Sequence, residues 1–231
     1  MKSPHLITSK LILDFERDGF AMLRGAIQPD EQRELLSLLG PAPKAGRRGL
    51  LAEPAVQRLA RGERILRLIR PHLPEEPLPV RAIYFDKSPD ANWLVAWHQD
   101  LTLTVRARAD VPGFGPWSTK DGVPHVQPPV ELMQQMLSVR LHLDDADAEN
   151  GALRVLPGSH RLGRLSSERI QELRAQGSEV VCALSAGDAF LMRPLLLHAS
   201  GRSTKASHRR VLHLEYAGFK LPSGLQWHEE F

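Results

Sequence analysis

The spacing of apolar residues changes character near Val80. Before it, Glu31 to Leu39 and the stretch 54–69 repeat apolar side chains at three- and four-residue intervals, which predicts helices. A first helix is expected from a cap at Thr8 or Ser9 through Arg17, and Gly19-Phe20-Ala21-Met22-Leu23-Arg24-Gly25 reads as a strand between glycines. Asp30 is placed to cap the second helix, which Gly40-Pro41 ends, and Gly62 interrupts the third. Residues 41–49 read as a basic, Gly- and Pro-containing loop, and the proline-rich 71–79 as a connector.

Beyond Val80 the pattern becomes short apolar runs separated by turn residues: 80–85, 93–97, 101–105, 137–143, 152–156, 180–184, 189–192, 195–198 and 211–216. So many short strands predict a closed or sandwiched β core. Two longer insertions interrupt it. Residues 106–135 have the size of a lid and carry a helix signal from Pro129, and 166–176 reads as a helix that Gly177 ends. The expected organisation is a single domain over 1–231, with a helical part at 1–79 and a β core at 80–217.

Composition narrows the chemistry. With 231 residues the chain can bury a sizeable core, and 42% hydrophobic and 25% charged residues are average globular usage. No apolar run approaches the roughly 20 residues that span a bilayer, and Met1 to Thr8 lacks a secretory h-region, so a cytoplasmic location is expected. The single Cys182 excludes an intramolecular disulfide and any multi-thiolate metal site, so a metal would need nitrogen and oxygen ligands. The net charge of +3 comes from interleaved charges and gives no argument for nucleic acid.

A mononuclear iron(II) site of this kind takes two imidazoles and one carboxylate on one face and leaves positions open. On a strand, a His-x-Asp pair puts both side chains on the same side. Both His98-Gln99-Asp100 and His142-Leu143-Asp144 have that form, so spacing alone does not choose between them. A third ligand is offered by His198, at the end of the apolar run Leu195-Leu196-Leu197, and Arg209 opens the last strand eleven residues later. A buried guanidinium there would suit the distal carboxylate of a dicarboxylic cosubstrate. The same ligands leave open a zinc-dependent hydrolase and a non-catalytic small-molecule binding barrel.

Taken together, Trp97-His98-Gln99-Asp100-Leu101, the turn and strand Asn150-Gly151-Ala152-Leu153-Arg154-Val155-Leu156-Pro157-Gly158-Ser159-His160, the turn Ala186-Gly187-Asp188-Ala189, His198 and Arg209 resemble the phytanoyl-CoA dioxygenase family of iron(II)/2-oxoglutarate oxygenases. The resemblance covers about residues 80 to 217. It implies a mainly β fold with helices: a double-stranded β-helix, that is, a jelly-roll, cupin-like barrel, flanked by N-terminal helices. It also implies Fe(II), 2-oxoglutarate and O2 as cofactor and cosubstrates, and hydroxylation of an unactivated C–H bond of a small molecule with release of succinate and CO2.

On that resemblance His98, Asp100 and His198 are the metal ligands. Arg209, helped by Ser200, would bind the C5 carboxylate of 2-oxoglutarate, and Asp100 disfavours halogenation. By strand alternation Arg140, His142 and Asp144 share one face, from which Arg140 would reach the cosubstrate or substrate. Tyr84, Trp117, Lys120 and His142 are the substrate-facing candidates. Gln99 is expected to point away from the ligands, and His160, His208 and His213 read as turn, surface and core histidines. Neither a nucleic-acid nor a membrane partner is expected, and the oligomeric state is open.

Overall fold

The computed structural model describes residues 9–42 and 46–229; the expectations for Met1 to Thr8, for Lys44 and Ala45 in the basic loop, and for Glu230 and Phe231 lie outside them. Along the chain run α1 (Ser9–Asp18), β1 (Phe20–Leu23), α2 (Pro29–Leu39), β2 (Gly46–Arg48), α3 (Pro54–Ala60), α4 (Glu63–Ile69) and the long β3 (Leu78–Lys87). There follow β4 (Val95–His98), β5 (Leu103–Thr104), β6 (Trp117–Lys120), β7 (Val123–Val126), α5 (Val130–Met133), β8 (Met136–His142) and β9 (Leu153–Val155). The chain closes with α6 (Ser167–Gln176), β10 (Val180–Val181), β11 (Ala189–Met192), β12 (His198–Ser200) and β13 (Arg209–Ala217).

Two antiparallel sheets form a jelly roll. The larger has the order β1-β11-β8-β13-β3-β2, and the smaller β10-β9-β12-β4. Because side chains alternate along a strand, each strand of the larger sheet divides its residues between two faces. Ala82, Tyr84, Leu137, Val139, Leu141, Leu212, Leu214 and Tyr216 point outward and pack on the helices through Phe15, Leu35, Leu39, Val56, Ile65 and Ile69. Burying each such leucine or isoleucine contributes about 1.5–3 kcal/mol, so this layer anchors the sheet. Between the sheets, Leu153, Val155, Phe190 and Met192 close one end of the barrel with Leu196 and the buried Cys182.

Most predicted elements form, with shifted ends. The cap of α2 is Gln28, not Asp30, because Pro29 fits the first helical turn; the Gln28 N–H donates to Glu31 at 2.7 Å. Gly62 separates α3 from α4, and the Ser166 hydroxyl accepts from the Arg169 N–H at 3.2 Å to start α6. The expected strand at 195–198 lies instead at His198–Ser200, since Leu195, Leu196 and Leu197 turn inward and are buried.

Two regions read as loops contain strands. The basic loop holds β2, paired to β3, and its arginines are tied down: Arg47 donates to the Leu39 carbonyl at 3.0 Å and Arg48 pairs with Asp121 at 2.8 Å. Within 106–135, β6 and β7 form a hairpin that pairs with β5. This hairpin packs with the C-terminal segment, where Leu225 and Trp227 are buried beside Val105 and Val126. Among the described residues no helix is long and apolar enough to cross a membrane.

Candidate metal and cosubstrate site

Strands β4 and β12 are neighbours, and their register sets His98 directly opposite His198. The ring centroids are 4.2 Å apart. Asp100 follows β4 by two residues and is fixed by its own N–H, which donates to the Pro194 carbonyl at 2.9 Å. Ligand atoms of His98, Asp100 and His198 all lie within 4.8 Å of one another. Each ring uses Nδ1 on the carbonyl two residues back, Ala96 and Leu196 respectively, at 2.9 Å. Nδ1 is therefore occupied by the backbone, and Nε2 of each ring faces the Asp100 carboxylate, 3.6 and 3.8 Å away.

The charge states suit metal binding. Burial pushes the His198 imidazole down to about 4, against the pull of Asp100, so it is neutral near pH 7. Burial also raises the Asp100 carboxyl, but the two histidines outweigh it and hold Asp100 below the usual carboxylate range. At His98 burial is outweighed by the contact with Asp100, which raises the imidazole, so metal binding there displaces a proton. Two imidazoles and one carboxylate with open positions are the donor set of non-haem iron(II) oxygenases. Among the described residues no other cluster of this kind occurs. The competing pair is used otherwise: Asp144 accepts from Arg210 at 2.7 Å through both oxygens.

These three side chains open into a cavity of about 380 Å³ between the two sheets. The inner faces of β13 and β3 run along it in register, with Arg209 opposite Lys87, His213 opposite Ile83 and Glu215 opposite Arg81. Arg209 is 3% exposed and its guanidinium makes no hydrogen bond to a described residue; Nε and Nη1 are buried and unpartnered. Burial lowers its pKa to about 10, so it remains cationic. Arg140 lines the same cavity with a buried, unpartnered Nε, and its pKa falls to about 10 through burial and the charge of Arg209.

Lys87 completes the cationic group. Its ammonium donates to the Ser200 hydroxyl at 2.9 Å and to the Gly201 carbonyl, while Ser200 donates to the Gly151 carbonyl at 2.8 Å. Burial, then Arg209 and Arg140, push Lys87 down to about 7. The Asn-Gly turn serves this approach. A Cβ at Gly151, whose φ is +79°, would meet the Gly201 carbonyl oxygen at 2.6 Å and the Lys87 nitrogen at 2.9 Å. Three buried cations with unpartnered guanidinium atoms are costly unless an anion joins them. A dicarboxylate beside the metal triad fits that need.

Of the residues expected from sequence, His98, Asp100, His198, Arg140, Ser200, Arg209 and Lys120 line this cavity. Three substrate candidates do not. Tyr84 alternates to the outer face of β3 and donates its hydroxyl to the Gly40 carbonyl at 2.7 Å. Trp117 packs on the core under the hairpin, with the Arg108 guanidinium 5.6 Å from its ring. His142 lies on the inner face but is 2% exposed and walled off, and burial with the charges of Arg140 and Arg209 pushes it to about 3. Gln99 holds loops together, donating to the Gly163 and Leu195 carbonyls and accepting from the Leu165 N–H. His208 is surface-exposed beside Asp86, and His160 sits in a turn.

Sequence reasoning missed Lys87, Trp93, Arg81 and Glu215, and read His213 only as a core histidine. His213 is buried yet lines the cavity. Alternation from Arg209 was the available signal, since it places 211, 213 and 215 on the same face.

The family model for Phytanoyl-CoA dioxygenase (PhyH) matches residues 15–211, and the chain belongs to this family. Comparison with curated protein sequences gives no match. Solved structures share the fold. EctD from S. alaskensis with bound Fe is 22% identical with a TM-score of 0.72, covering 91% of this chain and 76% of that one. HygX from Streptomyces hygroscopicus with nickel and 2-oxoglutarate is 19% identical with a TM-score of 0.66, covering 92% and 87%. The non-haem alpha-ketoglutarate-dependent carbocyclase SnoK from nogalamycin biosynthesis is 16% identical with a TM-score of 0.66, covering 91% and 83%.

Proposed function

We propose that the protein is an Fe(II)- and 2-oxoglutarate-dependent dioxygenase that hydroxylates an unactivated C–H bond of a small-molecule metabolite. The observation that carries this reading is the buried, unpartnered Arg209 guanidinium in the same cavity as the His98–Asp100–His198 triad. A zinc hydrolase on the same ligands would leave that cation without an anion, and a binding barrel would need no open ligand triad.

In this reading His98 and His198 hold the metal through Nε2 and Asp100 through its carboxylate. The Nδ1–H bonds to Ala96 and Leu196 keep both rings from rotating away. Arg209, Lys87 and Ser200 hold the C5 carboxylate of 2-oxoglutarate, and Arg140 adds positive charge at the same end. When bound, iron(II) and 2-oxoglutarate supply the oxidising chemistry, reducing O2 and releasing succinate and CO2. The apolar wall of Ile83, Phe85, Val95 and Leu153 restricts water around the reacting C–H bond.

The test is anaerobic titration of iron(II)-loaded protein with 2-oxoglutarate, following the visible metal-to-ligand charge-transfer band. The band is expected in wild type and weakened in Arg209→Ala. No band in iron-loaded wild type would overturn the reading and favour the hydrolase.

A further inference from the structure

The end of the cavity away from Arg209 is built differently. Glu215 faces it, and its Oε1 receives both protein contacts: Arg81 Nη1 at 3.1 Å and His213 Nε2 at 3.4 Å. No hydrogen bond from a described residue reaches Oε2, and Oε2 is not among the buried unpartnered atoms, so it opens to the cavity that Glu215 lines. The carboxylate is held in place through Oε1. Arg140 donates to His213 Nδ1 at 3.1 Å, which fixes the proton on Nε2 facing Glu215. Arg81 also contacts His125 Nε2 at 3.4 Å, and that ring bonds the Val123 carbonyl through Nδ1 at 2.9 Å. Burial raises the Glu215 pKa, but Arg81 and His213 outweigh it, so the group is anionic.

We infer that Glu215 is a specificity-determining residue and that the primary substrate presents an uncharged hydroxyl donor to its Oε2, as a polyol or sugar-like molecule does. This deepens the oxygenase reading and rests on it. An open carboxylate oxygen needs a donor when water is displaced, and an acyl chain has none. An ammonium group would satisfy Oε2 but would sit beside Arg81, which already balances the Glu215 charge. A neutral donor avoids that repulsion. Phe85, whose ring centroid lies 6.0 Å from that of His213, supplies flat apolar surface for the C–H faces of such a molecule.

The experiment is ligand-observed NMR on protein loaded with Zn(II) and 2-oxoglutarate, using myo-inositol, butylamine and octanoate as probes. Saturation transfer is expected to myo-inositol, and to fall at least about fivefold in Glu215→Gln, whose amide turns donors toward the cavity. Transfer to 2-oxoglutarate should be unchanged in that variant, which shows that the site is folded. A Glu215→Met variant checks the loss without any polar group at this position. Stronger transfer to butylamine or octanoate than to myo-inositol, or a myo-inositol signal that survives both variants, overturns the inference. Absence of transfer to 2-oxoglutarate in wild type, with the Glu215-dependent inositol signal intact, would instead overturn the oxygenase reading alone.

Discussion

On β13, Leu212, Leu214 and Tyr216 face the helices, whereas Arg209, His213 and Glu215 face the second sheet. The same strands therefore build two surfaces of opposite character. The outer one is apolar and closely packed, and it stabilises the fold. The inner one concentrates cations and carboxylates that cost stability and acquire a purpose only with bound ligands. Substitutions on the two faces should separate fold from function cleanly.

The largest expected effect is on the inner side of the barrel, at the metal. Asp100→Ala removes the only carboxylate of the triad and should reduce 2-oxoglutarate turnover to background while the thermal transition stays near wild type, as activity assay and circular dichroism would show. An undiminished rate would remove Asp100 from the ligand set. On the outer face, Leu141→Ala should destabilise the protein by about 2–5 kcal/mol, because Leu141 is fully buried between sheet and helices. Chemical denaturation measures this, and 2-oxoglutarate binding to the remaining folded protein should keep its affinity.

A smaller effect has the opposite sign. Arg209→Met replaces an unpartnered buried cation by an apolar side chain of similar length, so ligand-free protein should gain about 1 kcal/mol or more in stability. A drop in the melting temperature without ligand would contradict the view that Arg209 serves binding, not folding.

The subtlest effect is on pH dependence. Lys87 titrates near 7 in the free protein, and a carboxylate binds its protonated form. Binding therefore takes up a proton above pH 7, and 2-oxoglutarate affinity should fall between pH 6 and 8, by up to about tenfold per unit on the alkaline side. Lys87→Met should bind more weakly and flatten that slope. A slope that persists in the variant would assign it to another group.

Much of this architecture was readable from sequence where local pattern and tertiary context agree. The strand 189–192 and the helix break at Gly62 follow from a short apolar run after the turn Gly187-Asp188 and from a glycine. The strand β2 was hidden because Gly46-Arg47-Arg48 has no apolar alternation and exists only by pairing with β3. The β6–β7 hairpin had a signal in Asp121-Gly122, both with positive φ, but polar β6 and Pro124 in β7 masked the strands around it.

At the site, His98, Asp100, His198 and Arg209 stood out through order and spacing. Lys87 and Glu215 did not, since a lysine and a glutamate at strand ends look solvated until register places them opposite Arg209 and Arg81. Tyr84 failed for the complementary reason. One residue along the same strand turns a side chain from the cavity to the helices.

The central claim is that the cation-rich end of the cavity recognises a distal carboxylate beside the metal. It is tested most directly by anaerobic calorimetric titration of iron-loaded protein with 2-oxoglutarate and with pyruvate, which keeps the 2-oxo acid but lacks the distal carboxylate. The account predicts that wild type favours 2-oxoglutarate by about a hundredfold or more and that Arg209→Ala loses most of that preference. Equal affinities in wild type, or a preference that Arg209→Ala leaves intact, would contradict it.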